Sequence, residues 1–280
     1  MRSVSIAEHN DARAFLNRAG KFLEAREAEN NLILGLCSGL IARPESCANP
    51  YLVTVETENA ITTAALMTPP RKLVVVRAKQ NELAAIAHDL LRKKLPVSGI
   101  IGPNDEAKRF AEVWSRDRGV QARDGRKMRI FELQKVIHPA YSRGHMRVGT
   151  NADTPIVMEW GAEFAREANT DEKPDTVRET VGRMTSDGRL FVWEDGQVVS
   201  MAVTAGTTSR GIRISLVYTP PEFRKRGYAT SLVAAMSQRL LDSGRKFCFL
   251  YTDLANPTSN AIYQRIGYTP VCDCCEYYFE

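Results

Sequence analysis

A strand that runs directly into a basic, glycine-containing turn and then into a helix is the feature that most constrains the fold of this 280-residue chain. Apolar side chains alternate from Ile212 to Tyr218 and predict a strand, which Pro220-Pro221 ends. From Ala229 to about Gly244, apolar residues recur at helical spacing. The sequence therefore predicts a strand–turn–helix unit whose turn contains Arg224-Lys225-Arg226-Gly227.

This turn has the chemistry of a diphosphate site. N–H groups at a helix N-terminus lack intrahelical partners and lie at the positive end of the helix dipole, so they bind phosphate. Gly227 has no Cβ and lets a phosphate approach the backbone, while residues 224–226 add positive charge and Thr230 or Ser231 a hydroxyl. A solvated basic turn is the alternative interpretation of the same residues.

A second strand–helix unit follows the first. Residues 246–253 predict a strand, and a helix begins at Pro257, where the missing N–H costs nothing. Residues three and four apart are neighbours on a helix, so Asn256, Asn260 and Tyr263 can share one face. Two amides and one phenol are therefore expected to point together beside the preceding strand.

Together the two units resemble the GNAT superfamily of acetyl-coenzyme A-dependent N-acyltransferases. The first matches the Arg/Gln-x-x-Gly-x-Gly/Ala motif through Arg224, Gly227 and Ala229. The second matches Asn-x-x-x-Asn-x-x-Tyr-x-x-x-Gly-Tyr over residues 256–268. The resemblance implies an N-acetyltransferase that uses acetyl-coenzyme A as co-substrate and moves the acetyl group directly to a primary amine in a ternary complex.

The resemblance also implies where the coenzyme binds. The end of the first strand would pair with the pantetheine arm as an added strand does, the basic turn would hold the pyrophosphate, and the start of the second helix would line the coenzyme near its thiol. A bulge at Leu216 to Tyr218 would free a backbone N–H for the thioester oxygen. The implied coenzyme contacts are Val217, Tyr218, Thr219, Arg224, Lys225, Arg226, Gly227, Tyr228, Ala229, Thr230, Asn256, Ser259 and Asn260.

The chemistry of thioester aminolysis suggests two catalytic residues. The reaction needs a neutral amine, stabilisation of an oxyanion and a proton for the departing thiolate. In the superfamily the tyrosine matched by Tyr263 commonly gives that proton, and a phenol with an ordinary pKa of about 10 is protonated at neutral pH. Asp253 is the first candidate for the base and Glu222 the second, because residues 212–219 contain no carboxylate. Packing of Tyr263 on the sheet, capping of a turn by Asp253 and deprotonation by water are the open alternatives.

The residues before the basic turn complete one domain of this kind. They predict a strand at 146–150, helices at 153–168 and 175–184, and a hairpin over 190–203. The resulting order is β-α-α-β-β-β-α-β-α-β. The resemblance implies that the helices after the first strand close over the acceptor, and the candidate contacts there are Trp160, Glu163 and Phe164, although an aromatic pair at this spacing is also typical of a core.

The first half of the chain repeats this pattern at low similarity. Residues 51–67 predict a hairpin and residues 97–136 a strand–helix–strand unit, but residues 72–86 pass from strand to helix without a glycine. We therefore predict an α+β (α/β mixed sheet) fold of two GNAT-like domains, each a mostly antiparallel central sheet flanked by helices. A degenerate domain without a coenzyme site, at 1–138, completes the acceptor cleft or stabilises a catalytic domain at 139–280.

Composition and motif content argue against metal binding, nucleic-acid binding and a membrane location. The Cys272-Asp273-Cys274-Cys275 run has no histidine near it, so we expect reduced thiols and no metal. The net charge of +5 comes with no nucleic-acid-binding motif. No apolar stretch approaches the ~20 residues of a membrane span, and Met1 to Arg13 lacks a signal-peptide core, so a cytoplasmic location is expected. The predicted partner is a small-molecule or peptide amine; the alternative function is a non-catalytic acyl-coenzyme A-binding sensor or assembly module.

Overall fold

The computed structural model of the protein describes residues 4–168 and 172–280, and the order of elements is the same in its two halves. The first half contains β1 (Ser5–Glu8), α1 (Ala12–Glu24), α2 (Asn31–Ala42), β2 (Tyr51–Thr57), β3 (Ala60–Met67), β4 (Leu73–Val75), α3 (Gln80–Arg92), β5 (Gly99–Pro103), α4 (Asn104–Arg118) and β6 (Ala122–Leu133). The second half contains β7 (His145–Val148), α5 (Thr154–Glu167), α6 (Pro174–Ser186), β8 (Leu190–Glu194), β9 (Val198–Ala205), β10 (Gly211–Tyr218), α7 (Tyr228–Asp242), β11 (Phe247–Asp253), α8 (Pro257–Arg265) and β12 (Thr269–Phe279). The predicted β-α-α-β-β-β-α-β-α-β order is confirmed in both.

Within the described residues the strands form one 12-stranded sheet in the order β1-β2-β3-β4-β5-β12-β6-β11-β10-β9-β8-β7. All neighbours are antiparallel except β4–β5 and β10–β11, so the predicted mixed, mostly antiparallel sheet is confirmed. The last strand of each half lies in the other half's part of the sheet: β6 pairs with β11, and β12 pairs with β5. The two predicted sheets are therefore joined. The division at residue 139 stays a prediction.

The contact between the exchanged strands is long and carries charge. β6 and β12 pair from Ala122–Phe279 to Glu132–Thr269. Arg129 donates to Asp273 at 2.6 and 2.9 Å, and Arg126 forms the same two-point contact with the buried carboxylate of Glu276. Two-point guanidinium–carboxylate contacts fix direction as well as separation, so these pairs set the register at the centre of the sheet.

Helices cover both faces of the sheet. On one face, Ile212 and Ile214 of β10 pack with Leu232 and Val233 of α7. On the other, Leu216 and Tyr218 of β10 pack with α5 and α6. The sequence pattern places all four of these β10 side chains on one face. They divide between the two faces because a bulge between Ser215 and Tyr218 shifts the alternation by one residue.

A buried carboxylate joins the two halves. Glu27, between α1 and α2, is 5% exposed and accepts hydrogen bonds from Thr208 Oγ1 (2.6 Å), Arg210 N–H (2.9 Å) and Arg210 Nε (2.7 Å). Burial raises the pKa of Glu27, but the hydrogen bonds from Thr208 and Arg210 outweigh it and hold the pKa below its usual value. The charged form of Glu27 is therefore the stabilising one.

Glu27→Gln should lower the free energy of unfolding at neutral pH by about 1–3 kcal/mol, because charge-assisted hydrogen bonds are lost. A depressed pKa means that the stabilisation is complete above the unfolded pKa and disappears as the pH falls through the folded pKa. The difference between variant and wild type in urea melts should therefore shrink in acid. Glu24→Gln is the matched control, since Glu24 forms no ion pair with a described residue. Equal losses in both variants would contradict the role of Glu27.

Candidate active site

Strand β10 separates from both of its neighbours where the sequence analysis expects a bulge. It pairs with β11 only from Gly211–Phe247 to Arg213–Phe249, although β11 continues to Asp253. Its pairing with β9 is interrupted between Ser215 and Tyr218, and Leu216 has a φ of +50°. The bulge is confirmed, and beyond Arg213 both β10 and β11 line a wide cleft.

The basic turn after β10 presents an uncapped helix N-terminus. Gly227 has a φ of +79° and directly precedes α7, and no side chain of the part of the protein that the structure describes caps the helix. Ser142, in the segment between the halves, donates its hydroxyl to Arg226 O at 2.7 Å and its N–H to Ser231 Oγ at 2.8 Å. A Cβ on Gly227 would lie 2.7 Å from Ser142 Oγ. The turn is thus fixed by residues 142 and 231, while the helix N–H groups remain available to an anion.

The side chains of the turn serve different purposes. Arg224 forms an ion pair with Glu167 at 2.7 Å and donates from Nε to Thr219 O at 2.8 Å. Lys225 and Arg226 are exposed and form no ion pair with any residue that the structure describes. Tyr228 donates its hydroxyl to Asp195 at 2.7 Å, so its side chain is directed to the β8–β9 turn. Of the implied phosphate ligands, Lys225, Arg226 and the backbone N–H groups of 227–230 therefore have no charged partner among the described residues that a phosphate would have to displace.

The amides at the start of α8 stabilise the helix end. Asn256 Oδ1 accepts from Ser259 N–H at 3.1 Å, and Asn260 Nδ2 donates to Asn256 O at 2.9 Å while its Oδ1 accepts from Thr252. Asp253 is exposed and its carboxylate accepts from Ala255 N–H at 2.8 Å. The turn-capping alternative for Asp253 is therefore present in the structure, and its role as a base stays a prediction.

Tyr263 is buried at the edge of the same cleft. Its side chain belongs to the core between α7, α8 and the sheet, the residue is 8% exposed, and its ring meets that of Tyr268 edge-on at 5.9 Å. Burial raises the pKa of the Tyr263 hydroxyl above its usual value. The phenol therefore keeps its proton at neutral and moderately alkaline pH, which is the state that a proton donor needs.

Two carboxylates lie beside the end of β10. Tyr218 donates its hydroxyl to Glu163 at 2.8 Å and to Glu167 at 3.2 Å, and its ring packs against Trp160 at 6.3 Å. Burial and these two carboxylates raise the pKa of Tyr218. Sequence reasoning selected Trp160, Glu163 and Phe164 but missed Glu167. The missed signal is the four-residue spacing, which places Glu163 and Glu167 on one face of α5.

Comparison with known proteins agrees with this geometry. Residues 195–277 match the family model described as FR47-like protein. No curated protein matches the chain in sequence. A Drosophila protein of solved structure has 15% identity and a TM-score of 0.70, with 98% of each chain covered. A GCN5-related N-acetyltransferase from Sphaerobacter thermophilus has 14% identity and a TM-score of 0.63, covering 98% of this chain and 94% of its own. A tandem GNAT protein from the clavulanic acid biosynthesis pathway has 12% identity and a TM-score of 0.56, covering 99% of this chain and 98% of its own.

The chain is a tandem GNAT-fold protein. The resemblance read from the two motifs is confirmed, since the family model covers both of them and the structural matches extend over both halves. Family and fold together support acyl transfer from an acyl-coenzyme A in general.

The two halves of this tandem GNAT fold differ at the positions of the turn and the tyrosine. Glu82, 2% exposed, accepts the Lys79 N–H at 2.7 Å and so places a carboxylate at the start of α3. A Cβ on Gly102 of β5 would lie 2.6 Å from Val75 Cγ2 of β4, so β4 and β5 pack closely at this point, whereas their counterparts β10 and β11 separate. α4 carries buried Phe110, Val113 and Trp114 in place of a phenol. These features favour the second half as the coenzyme-binding one.

No group of histidine, cysteine and carboxylate side chains within residues 4–168 and 172–280 could hold a metal ion. Among the helices of the same residues, none is long and apolar enough to cross a membrane.

Proposed function

We propose that this protein is an N-acetyltransferase that transfers acetyl from acetyl-coenzyme A directly to a primary amine in a ternary complex. The observation that carries the proposal is the course of β10. Its ladder with β9 breaks at Leu216 and Val217, and it ends at the uncapped N-terminus of α7. The break in the ladder frees a backbone N–H that can donate to the thioester oxygen, and the N-terminus of α7 offers the N–H groups that bind a pyrophosphate.

The proposed coenzyme position follows the cleft. Val217, Tyr218 and Thr219 pair with the pantetheine arm through their backbone, and residues 227–230 hold the pyrophosphate with Lys225 and Arg226 beside it. Arg224 would bind the same phosphates after breaking its ion pair with Glu167. This ion pair is partly exposed, so solvent screens it and it is weak. Asn256, Ser259 and Asn260 line the thiol end; Ser259 and Asn256 already face the cleft.

The proposed reaction is a single displacement at the thioester carbon. The amine nitrogen forms a bond to the carbonyl carbon, and the resulting oxyanion is held by backbone N–H at the β10 bulge. The C–S bond then breaks, and the thiolate takes the Tyr263 hydroxyl proton. The proton lost by the amine goes to Asp253 directly or through water, and exchange with solvent returns a proton to Tyr263. The products are an N-acetylated amine and coenzyme A.

The raised pKa of Tyr263 leads to an expected pH profile. Turnover with a simple primary amine should rise with pH as more of the amine becomes neutral. Because Tyr263 stays protonated above its ordinary pKa of about 10, kcat should show no fall on the alkaline side up to about pH 10. A descending limb near pH 8, in initial rates of thiol release, would contradict this proton donor.

The function itself is tested by release of free thiol when acetyl-coenzyme A and a panel of primary amines are added to the protein. Amine-dependent release with stoichiometric N-acetylation supports the enzyme. Tight binding of acetyl-coenzyme A by calorimetry, with no thiol release for any amine, would instead support the non-catalytic sensor or assembly module. Propionyl- and butyryl-coenzyme A, run in parallel, show whether acetyl is the preferred group.

A further inference from the structure

The cleft between the two halves contains arginines that have no acidic partner. α2 of the first half and α6 of the second half both line it, and β10 is also part of its lining. Four of the arginines that line it are Arg43 after α2, Arg183 on α6, Arg189 before β8 and Arg213 on β10. Within the described ranges, none of these four forms an ion pair.

Arg213 lies among residues of α2, β11 and the β9–β10 loop. Its Nη1 donates to Asn31 Oδ1 at 3.1 Å, its guanidinium lies 5.7 Å from the centre of the Tyr251 ring, and a Cβ on Gly206 would be 2.9 Å from its Nη2. Burial lowers the pKa of Arg213, and the positive charge of Arg189 lowers it further. As a whole, Arg213 is half-buried, and it is part of the cleft lining. A cation in this position lacks both full hydration and a counter-ion.

Arg189 lines the same cleft and is held at Thr204 of β9, next to Ala205, the residue that pairs with Arg213 of β10. Its Nη2 donates to the carbonyl of Thr204 at 2.7 Å, and burial lowers its pKa, as do Arg43 and Arg183. Asp187 acts in the opposite direction but forms no ion pair with it among the described residues. Neighbouring buried cations are unfavourable unless an anion satisfies them.

Other arginines of the same cleft are neutralised within the protein. Arg71 pairs with Glu172 at 2.8 Å, and Arg126 pairs with Glu276 at 2.8 Å. The cleft therefore contains both internally paired arginines and the unpaired group around Arg213. At the other end of β10, beside the bulge, Glu163 and Glu167 both lie within hydrogen-bond distance of the Tyr218 hydroxyl, and Glu167 is also paired with Arg224. Among the described residues Glu163 forms no ion pair, so its negative charge remains near the proposed reaction centre while the positive charge lies at Arg213.

We propose that the acceptor amine carries a carboxylate that binds between Arg213 and Arg189, about 10 Å from its amine nitrogen. The spacing follows from β10, where Leu216 at the bulge is three residue steps from Arg213 and each step advances about 3.3 Å. This inference rests on the proposed function and names its substrate class: an elongated amino acid or short peptide, with the ammonium group near Glu163 and Glu167 and the carboxylate at the arginines. A guanidinium pair is well suited to a carboxylate because each guanidinium can donate two parallel hydrogen bonds.

Glycine oligomers and their C-terminal amides test the proposal, because they vary the length of the acceptor and the charge of its far end separately. Thiol release is measured with glycine, diglycine, triglycine and tetraglycine and with the four amides. An extended residue spans about 3.3–3.6 Å, so triglycine should be the best acid. Its KM should be about 10- to 100-fold lower than that of triglycinamide, as expected for charge-assisted hydrogen bonds.

Arg213→Gln and Arg189→Gln should each raise the KM for triglycine about 10- to 100-fold while leaving the KM for triglycinamide and for acetyl-coenzyme A unchanged. Arg71→Gln is the matched control: it removes an arginine from the same cleft, but one already paired with Glu172. The Tm of each unliganded variant is also measured. An arginine that binds the substrate carboxylate should affect the KM of the acids alone, whereas a purely structural arginine should lower Tm and impair turnover of acids and amides alike.

Equal KM values for acids and amides, with no effect of Arg213→Gln, would overturn the carboxylate site and leave the acetyltransferase proposal standing. A higher KM for acetyl-coenzyme A in Arg213→Gln would overturn it too, by assigning the arginine to the coenzyme. If no amine releases thiol, the proposed function fails, and calorimetry of triglycine against triglycinamide, with coenzyme A present, decides the site separately. Preference for triglycine that Arg213→Gln abolishes supports it.

Discussion

Gly227→Asp should lower the affinity of the protein for coenzyme A by at least about 100-fold, because several charge-assisted hydrogen bonds to the pyrophosphate are lost together. The new side chain meets three obstacles. The φ of +79° strains any residue with a Cβ, the Cβ would lie 2.7 Å from Ser142 Oγ, and the carboxylate would take the α7 N–H groups that a phosphate needs. Glu82 already places a carboxylate at the start of α3 in the first half. Calorimetric titration with coenzyme A measures the effect.

The matched control is Gly188→Asp. Gly188 has a similar φ of +66°, but a Cβ there meets nothing within 4 Å. This variant therefore reproduces the backbone strain and the added charge away from the turn, and coenzyme A affinity should be unchanged. If Gly227→Asp binds coenzyme A as tightly as Gly188→Asp, the pyrophosphate does not lie at residues 224–230.

Tyr263→Phe should lower kcat about 10²–10⁴-fold and leave the KM for acetyl-coenzyme A nearly unchanged. The phenylalanine ring retains the packing against Tyr268 and the core, while the proton for the thiolate is lost. A thiolate can also leave without a proton, since a thiol has a pKa of about 8.5, so the smaller value is expected with the best acceptors. Pre-steady-state measurement of thiol release separates the chemical step from product release.

Tyr268→Phe is the control for this substitution. Tyr268 touches the same ring, but its hydroxyl is paired with Ser237 at 2.9 Å inside the core. Its loss should reduce stability by about 1 kcal/mol and leave kcat unchanged. An unaltered rate in Tyr263→Phe, at a pH where chemistry limits turnover, would reduce Tyr263 to a packing residue and favour the binding-module alternative.

Local features of the second half were predictable because their causes are local. A proline pair ends a strand, Gly227 takes a left-handed φ before α7, and Pro257 begins α8, each within a few residues of its signal. The GNAT resemblance predicted the position of the bulge, but it did not predict which face of the sheet the later β10 side chains would occupy. Leu216 and Tyr218 face α5 and α6, opposite to Ile212 and Ile214, because one inserted residue reverses a two-residue alternation.

The side-chain partners were less predictable. The spacing predicted that the Asn256 and Asn260 amides point together beside the preceding strand. In this structure the Asn256 amide accepts the Ser259 N–H, and the Asn260 amide bonds the Asn256 main-chain carbonyl and the Thr252 hydroxyl of β11. Arg224 was read as a phosphate ligand, and in this structure it is paired with Glu167. Sequence spacing predicts which residues are neighbours on one helix or strand. It does not predict which of several polar neighbours forms a hydrogen bond, because side chains from other elements compete for the same donors and acceptors.

Sequence patterns alone were enough to predict the element order of the second half, its partial repetition in the first half, the basic turn and Tyr263, because periodicity and turn chemistry act over a few residues. The exchange of β6 and β12, the burial of Glu27 under the β9–β10 loop and the placement of Arg189 and Arg213 in one cleft lined by α2 became visible in the folded structure. These contacts join residues far apart in the chain, and many pairings satisfy the same local pattern. The choice among them depends on packing and on the satisfaction of buried polar groups across the whole sheet, which no short segment contains.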